Sequence, residues 1–178
     1  VGILFGYRKI AVDDLVAQGA RANVDIGRVA VNTVEAALQA PLPGHDWLSA
    51  ARDDARRADW VARADAALRS AFEGTSVLKI KLYDARGLTI YSTEAAQIGE
   101  DKSTQPALQR TLGGESLTAL SYRDRFNALE GEVTARDLLS TYEPVRDKTG
   151  RTVAVAEVYV DLSPLLAHLR AHQTRLAV

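Results

Sequence analysis

The chain of 178 residues has three histidines, six tyrosines, and no cysteine or methionine, which narrows the chemistry open to it. Without cysteine there is no thiol nucleophile, no thiolate metal site and no disulfide framework. His168 and His172 stand four apart, the spacing of a metal pair on one helical face. No glutamate completes a His-Glu-x-x-His pattern, however, and His45 lies far away in sequence. There is no Gly-x-Ser-x-Gly elbow and no phosphate-binding glycine loop, and Gly113-Gly114 reads as a helix stop. Carboxylate pairs such as Glu130 and Glu132 are too common to indicate a glycosidase. The expectation is therefore a non-catalytic chain with no cofactor and no metal.

The residue types favour binding instead. From Val77 to Tyr83 alternation puts Leu78, Ile80 and Leu82 on one strand face and Lys79, Lys81 and Tyr83 on the other. Tyr91 goes with Thr89 in the next strand. Ser140 and Tyr142 alternate with Leu139 and Thr141, and Glu157 and Tyr159 alternate with Ala156, Val158 and Val160. If these sets converge, Lys81, Tyr83, Tyr91, Ser140, Tyr142, Glu157 and Tyr159 share one sheet face. An aromatic wall with a few charged groups is the usual make-up of a small-ligand pocket. Tyr122-Arg123-Asp124-Arg125-Phe126 is expected at its rim. Arg123 and Arg125 point one way and Tyr122 the other, so either set can face the pocket. The arginines are favoured, because guanidinium groups clamp a carboxylate or phosphate through paired hydrogen bonds, which selects an anionic or zwitterionic ligand. The plainer alternative is an amphipathic sheet with tyrosines packed under a loop and Lys81 simply paired with Glu157. Asp124, between two arginines, and Asp137, beside Arg136, read equally well as ion-pair staples.

Other segments must position these strands. Val1 to Tyr7 is apolar and ends at Arg8-Lys9, as the last turns of a transmembrane helix would, with Tyr7 at the interface. The alternative is an apolar cap folding back onto the domain. With no methionine at its start, the chain reads as a piece of a longer protein. Val12, Val16, Ala20, Val24, Gly27, Val31, Val34 and Leu38 form one helical stripe, predicting a spine helix over 8–40 of roughly 50 Å. Pro41 and Pro43 end it, Asp46 offers a cap, and a second helix is expected over 46–73. The charged side of that helix, including Arg63 and Arg69, reads as a solvated face. From Ser76 the period changes to two. A hairpin over 77–92 turns at Asp84–Gly87, and a short helix over 104–112 is followed by a strand over 116–123. A second hairpin pairs 136–145 with 152–160, and Ser163-Pro164 opens a helix running to 178.

The apolar fraction of 47% excludes wholesale disorder, and a net charge of −1 gives no nucleic-acid footprint. The class is α+β. Within it, Val77–Asp84, Gly87–Thr93, Ile98–Asp101, Tyr122–Phe126, Arg136–Tyr142 and Glu157–Asp161 resemble an extracytoplasmic PAS-like domain of the Cache type, the sensor module of bacterial transmembrane receptors. The resemblance implies a five-stranded antiparallel sheet in the order 2-1-5-4-3. It divides the chain into a helical pair (1–74), a PAS-like sensor domain (75–162) and a C-terminal helix (163–178) leading towards a second membrane span. It also implies a periplasmic or extracellular position on an inner-membrane protein, a small-molecule ligand, and a cytoplasmic histidine kinase, diguanylate cyclase or methyl-accepting output. A homodimer is expected, because the stripe of the first helix is longer than a sheet of this size can cover. The competing function is a structural dimerisation or protein-interaction module without a ligand.

Overall fold

The computed structural model describes residues 2–38 and 54–176. In chain order it comprises α1 (Gly2–Leu38), α2 (Asp54–Phe72), β1 (Val77–Asp84), β2 (Thr89–Ser92), a 3₁₀ turn (Ala95–Gln97), α3 (Pro106–Leu112), β3 (Leu117–Ala128), β4 (Gly131–Arg146), β5 (Thr152–Asp161) and α4 (Ser163–Leu176). The strands form one antiparallel sheet in the order β2-β1-β5-β4-β3, as expected for the class. The proline break at Pro41, the Asp46 cap and the first turns of the second helix lie outside the described residues.

One face of the sheet is apolar because the inward residues of its central strands are. Ile80 and Leu82 of β1, Leu139 of β4, and Ala156, Val158 and Val160 of β5 pack in one core with Ala30, Val31 and Val34 of α1 and Trp60, Ala64, Leu68 and Phe72 of α2. Small residues let the spine lie close to the sheet: a Cβ at Gly19 would sit 2.7 Å from Leu139 Cδ2. Asn23, buried at this contact, donates from Nδ2 to the Leu139 carbonyl at 3.2 Å, so its amide is not left unmet. The stripe is thus largely consumed inside the chain, with Val31 and Val34 in the core and Val12 and Val16 partly buried against it.

The turns follow from local chemistry. Asp84 Oδ1 accepts the N–H groups of Arg86 and Leu88, and Gly87 takes φ +87°, which closes β1 onto β2. The β3–β4 hairpin departs from the expectation of separate strands over 116–123 and 136–145. It pairs Leu117–Ala128 with Gly131–Arg146. Its outer half is mostly polar apart from the Phe126–Val133 pair, so the pattern conceals a strand that backbone pairing and the Arg125–Glu132 ion pair (2.9 Å) support. Its tip folds back: Leu129 is buried, and its N–H bonds to the Leu78 carbonyl at 2.6 Å. Arg69 of α2 is not merely solvated. Its guanidinium donates to the carbonyls of Leu129 and, at 2.9 Å, Thr93, while Asp65 holds its Nε at 2.7 Å. No helix among the described residues is long and apolar enough to cross a membrane.

The close approach of α1 generates a direct expectation. Gly19→Leu lowers stability by about 1–3 kcal/mol, because the added atoms must displace Leu139 from a filled core. Gly19→Ala stays within about 1 kcal/mol of the parent, since the gain in helix propensity offsets the displacement of one flexible side-chain tip. Urea unfolding of the two variants beside the parent checks both.

Candidate functional site

The sheet face opposite α1 carries the polar residues, and strand register brings them together. Lys81 of β1 lies opposite Glu157 of β5, which lies opposite Tyr142 of β4. The next row runs Lys79, Tyr159, Ser140, and Tyr83 pairs with Val155 one step the other way. A cavity of about 400 Å³ stands on this face. Lys81, Tyr83, Tyr142, Glu157 and Tyr159 supply its sheet side, and Asp101, Lys102, Thr104 and Gln105 line it from the segment before α3.

Its centre is Glu157, only 1% exposed. Oε2 accepts the Tyr83 hydroxyl at 2.5 Å and lies 4.0 Å from Lys81 Nζ, whereas Oε1 has no hydrogen-bond partner. The Tyr142 hydroxyl accepts from Gln105 Nε2 at 2.9 Å, and the Tyr142 ring stacks on Tyr83 with centroids 6.4 Å apart. Burial, reinforced by the nearby Glu157 charge, pushes the hydroxyls of Tyr83, Tyr142 and Tyr159 far above the ordinary phenol value, so they remain protonated. Burial also lowers the Lys81 ammonium, with the attraction of Glu157 opposing it.

A second cavity, of about 350 Å³, shares Lys81 and Tyr159 with the first and extends to Arg123 and Arg125. Its wall is a clamp: buried Lys79 reaches Glu94 at 2.5 Å and lies 4.2 Å from the centre of the Phe126 ring, and Glu94 accepts Asn127 Nδ2 at 2.8 Å. Phe126 in turn touches Tyr159, with ring centroids 5.1 Å apart. Arg125 is engaged with Glu132, whereas Arg123 makes no ion pair among the described residues.

Of the expected site residues, the structure unites Lys81, Tyr83, Tyr142, Glu157 and Tyr159 in one cavity and places Arg123 and Arg125 in its neighbour. Three fall elsewhere. Tyr91 belongs to the opposite face. The β1–β2 register slips between Leu82 and Tyr83, leaving Tyr91 opposite Leu82, and its ring packs in the helix-covered core against Trp60. There its hydroxyl donates to Asp65 at 3.0 Å. Tyr122 is 58% exposed and lines neither cavity, while Arg123 and Arg125 line the second cavity as exposed rim residues. Ser140 is buried in the expected row, but its hydroxyl donates to the Ala119 carbonyl at 3.3 Å and lines neither cavity. Arg136 pairs with Asp161 at 3.5 Å, so the staple expected of it runs across the sheet rather than to its neighbour Asp137. Sequence reasoning missed two features: the Lys79–Glu94 clamp, and Gln105, expected inside a short helix over 104–112 but standing at the N-cap of α3. The alternation that selected Lys81 also contained Lys79. Among the described residues no group of three or more His, Asp or Glu side chains can hold a metal ion.

The clamp carries a pH signature. Hydrogen bonds from Lys79 first and Asn127 second hold the Glu94 carboxyl below its ordinary value of 4.5. Its stabilising contribution is therefore present above that value and is lost as pH falls through the lower value of the folded state. Glu94→Ala is expected to cost about 1–3 kcal/mol at neutral pH, chiefly by leaving buried Lys79 without its carboxylate. The gap from the parent narrows below pH 4.5, as denaturant titrations at several pH values will show.

No family model matches the chain, and no curated protein matches it by sequence. Among solved structures it is similar to the E. coli DcuS sensor domain, at 21% identity over 59% of this chain and 68% of that one, with a TM-score of 0.41. It is also similar to the sensor domain of the V. cholerae histidine kinase DctB, at 16% identity over 80% of this chain and 57% of that one, with a TM-score of 0.44. A third likeness is to an extracellular ligand binding receptor from Desulfohalobium retbaense DSM5692, at 19% identity over 82% of this chain and 24% of that one, with a TM-score of 0.39. The chain spans less than two thirds of the second and third of these structures. On its own strand order, β2-β1-β5-β4-β3, with a long N-terminal helix packed on one sheet face, the chain has a PAS-like fold.

Proposed function

We propose that the chain is the extracytoplasmic ligand-sensing domain of a membrane-bound signal-transduction receptor, binding a small anionic or zwitterionic molecule on the sheet face opposite α1. The observation that carries this reading is the cavity floored by Lys81, Tyr83, Tyr142, Glu157 and Tyr159, whose central carboxylate sits on the strand that runs directly into α4. Lys81, buried on the cavity floor, and Arg123, exposed at the neighbouring rim, supply the cationic donors for an acidic group, and at Lys81 burial strengthens a charge-assisted bond relative to its surface equivalent.

The same strand offers a route outward. Glu157 and Tyr159 precede Asp161, whose Oδ1 accepts the Ser163 N–H at 2.8 Å at the start of α4. Ser163 Oγ accepts the Asp137 N–H of β4 at 2.8 Å, so the first turn of α4 is latched to both central strands. A ligand that binds one arrangement of these strands better than another shifts α4 with them, and only by that difference in affinity. The apolar Val1–Tyr7 segment followed by Arg8-Lys9 supports a position at a membrane surface. The output in this reading is a cytoplasmic kinase, cyclase or methyl-accepting module.

A thermal-shift screen of carboxylates, amino acids and phosphates tests the proposal. A compound present at a hundred times its Kd stabilises the folded chain by about 2.7 kcal/mol, a rise of several degrees. Arg123→Ala is expected to lose most of that rise. Equal stabilisation of parent and variant places Arg123 outside the site, and no stabilisation by any compound contradicts the sensing role.

A further inference from the structure

We infer that the outer half of the β3–β4 hairpin, residues 124–135, is a hinged arm that swings about Ala135 to open and close the second cavity, with Arg69 of α2 as its latch. Its role as a gate rests on the ligand pocket proposed above, whereas the motion itself does not.

The hinge is written in the backbone. β4 pairs with β5 from Leu138 to Arg146, so on the other side of Leu138 the hairpin leaves the sheet as a two-stranded ribbon. At the root of that ribbon Arg123 pairs with Arg136 and Arg125 with Thr134, and the ladder skips Ala135 between them. Ala135 has φ +53°, the one positive φ outside glycine among the described residues. An L residue is strained in that left-handed region, whereas an extended backbone here lets the ribbon run on from the sheet. Ala135 is exposed, so packing around its own side chain does not impose the bend.

Contacts at the far end of the arm impose it instead. Leu129 is buried, and its N–H bonds to the Leu78 carbonyl of β1 at 2.6 Å. Glu130 Oε1 accepts the Gly74 N–H at 2.9 Å, and Asn127 donates to Glu94 at 2.8 Å. Arg69 donates to the Leu129 carbonyl and, at 2.9 Å, to the carbonyl of Thr93, so one guanidinium joins α2 to both sides of the closure. The set is mostly polar, and such bonds exchange for water at modest net cost. A strained hinge is thus opposed by weak clasps, which leaves two arrangements of the arm close in free energy. The arm supplies Arg125, Phe126 and Asn127 to the second cavity, and Arg123 stands at its root. Swinging it out removes that wall. A ligand that touches the arm and Lys81 together binds only the closed arrangement, shifts the balance towards it, and secures the contact with α2 through Arg69.

Amide hydrogen exchange of the whole chain, followed by nuclear magnetic resonance without ligand, tests the hinge. The Leu129 amide reports opening directly, because it bonds to β1 rather than within the arm. In an ordinary exposed strand glycine loosens pairing and valine tightens it. A left-handed hinge reverses both signs, because glycine accepts the bent conformation freely and a β-branched residue resists it. Ala135→Gly is therefore expected to slow exchange at Leu129 roughly fivefold, and Ala135→Val to speed it by a similar factor, while core amides of β5 keep the parent's rates. Arg69→Gln speeds exchange at Leu129 and leaves β5 unchanged. Faster exchange in Ala135→Gly or slower exchange in Ala135→Val overturns the hinge, as do equal rates in the parent and both variants. Faster exchange spread through β5 in Arg69→Gln makes Arg69 a support of the whole fold and overturns its role as latch. The thermal-shift screen decides the sensing role separately.

Discussion

The pairing of β1 with β5 sets Lys81 opposite Glu157, and the rest of the polar face is built around that buried carboxylate. Taking a carboxylate out of water costs several kcal/mol, and a lysine at 4.0 Å with one tyrosine hydroxyl offsets only part of it. Evolution towards stability alone favours apolar residues at such positions, since replacing a buried ion pair by packed hydrocarbon is often neutral or better. A buried carboxylate ringed by tyrosines and one lysine is instead the make-up expected of a polar recognition surface.

Such a face can be kept open only if the fold is stabilised elsewhere, and the two sides of the sheet divide that work. Helices α1 and α2 bury the apolar side in the main core, with Gly19 allowing α1 to approach Leu139. Around the edges, charged groups fasten the elements that helices do not cover. Asp65 holds Arg69 and Tyr91 together, and Arg69 reaches the carbonyls of Thr93 and Leu129. Glu94 joins Lys79 to Asn127 on the other side. Both networks converge on the end of β2 and the tip of the β3–β4 hairpin, so the outer strands are held while the cavity between them stays unfilled.

How much of this was legible in the sequence depends on where alternation is kept. In β1, β4 and β5 alternation holds through the central rows, so Lys81, Tyr83, Tyr142, Glu157 and Tyr159 were readable as one set. Tyr91 was not, because a single slip of register between Leu82 and Tyr83 turns it to the other face, and nothing in a four-residue strand announces a bulge. The outer half of the β3–β4 hairpin was hidden for a different reason: apart from the Phe126–Val133 pair its residues are polar or small, so too little apolar period remains to detect. Arg69 looked like one more surface charge, since its role depends on two carbonyls far away in sequence. Gln105 gave no signal, because the short helix expected over 104–112 starts only at Pro106, and no period locates a side chain at its cap.

The central claim, that this face of the sheet is the binding surface, is tested most directly by following the tyrosine rings themselves. In a chain carrying ¹³C-labelled tyrosine, nuclear magnetic resonance spectra recorded during titration with a bound compound report each ring separately. The signals of Tyr83, Tyr142 and Tyr159 are expected to move together along one saturation curve, while Tyr91, across the sheet, and exposed Tyr122 keep their positions. Movement of Tyr91 or Tyr122 with the cavity tyrosines unchanged contradicts that claim.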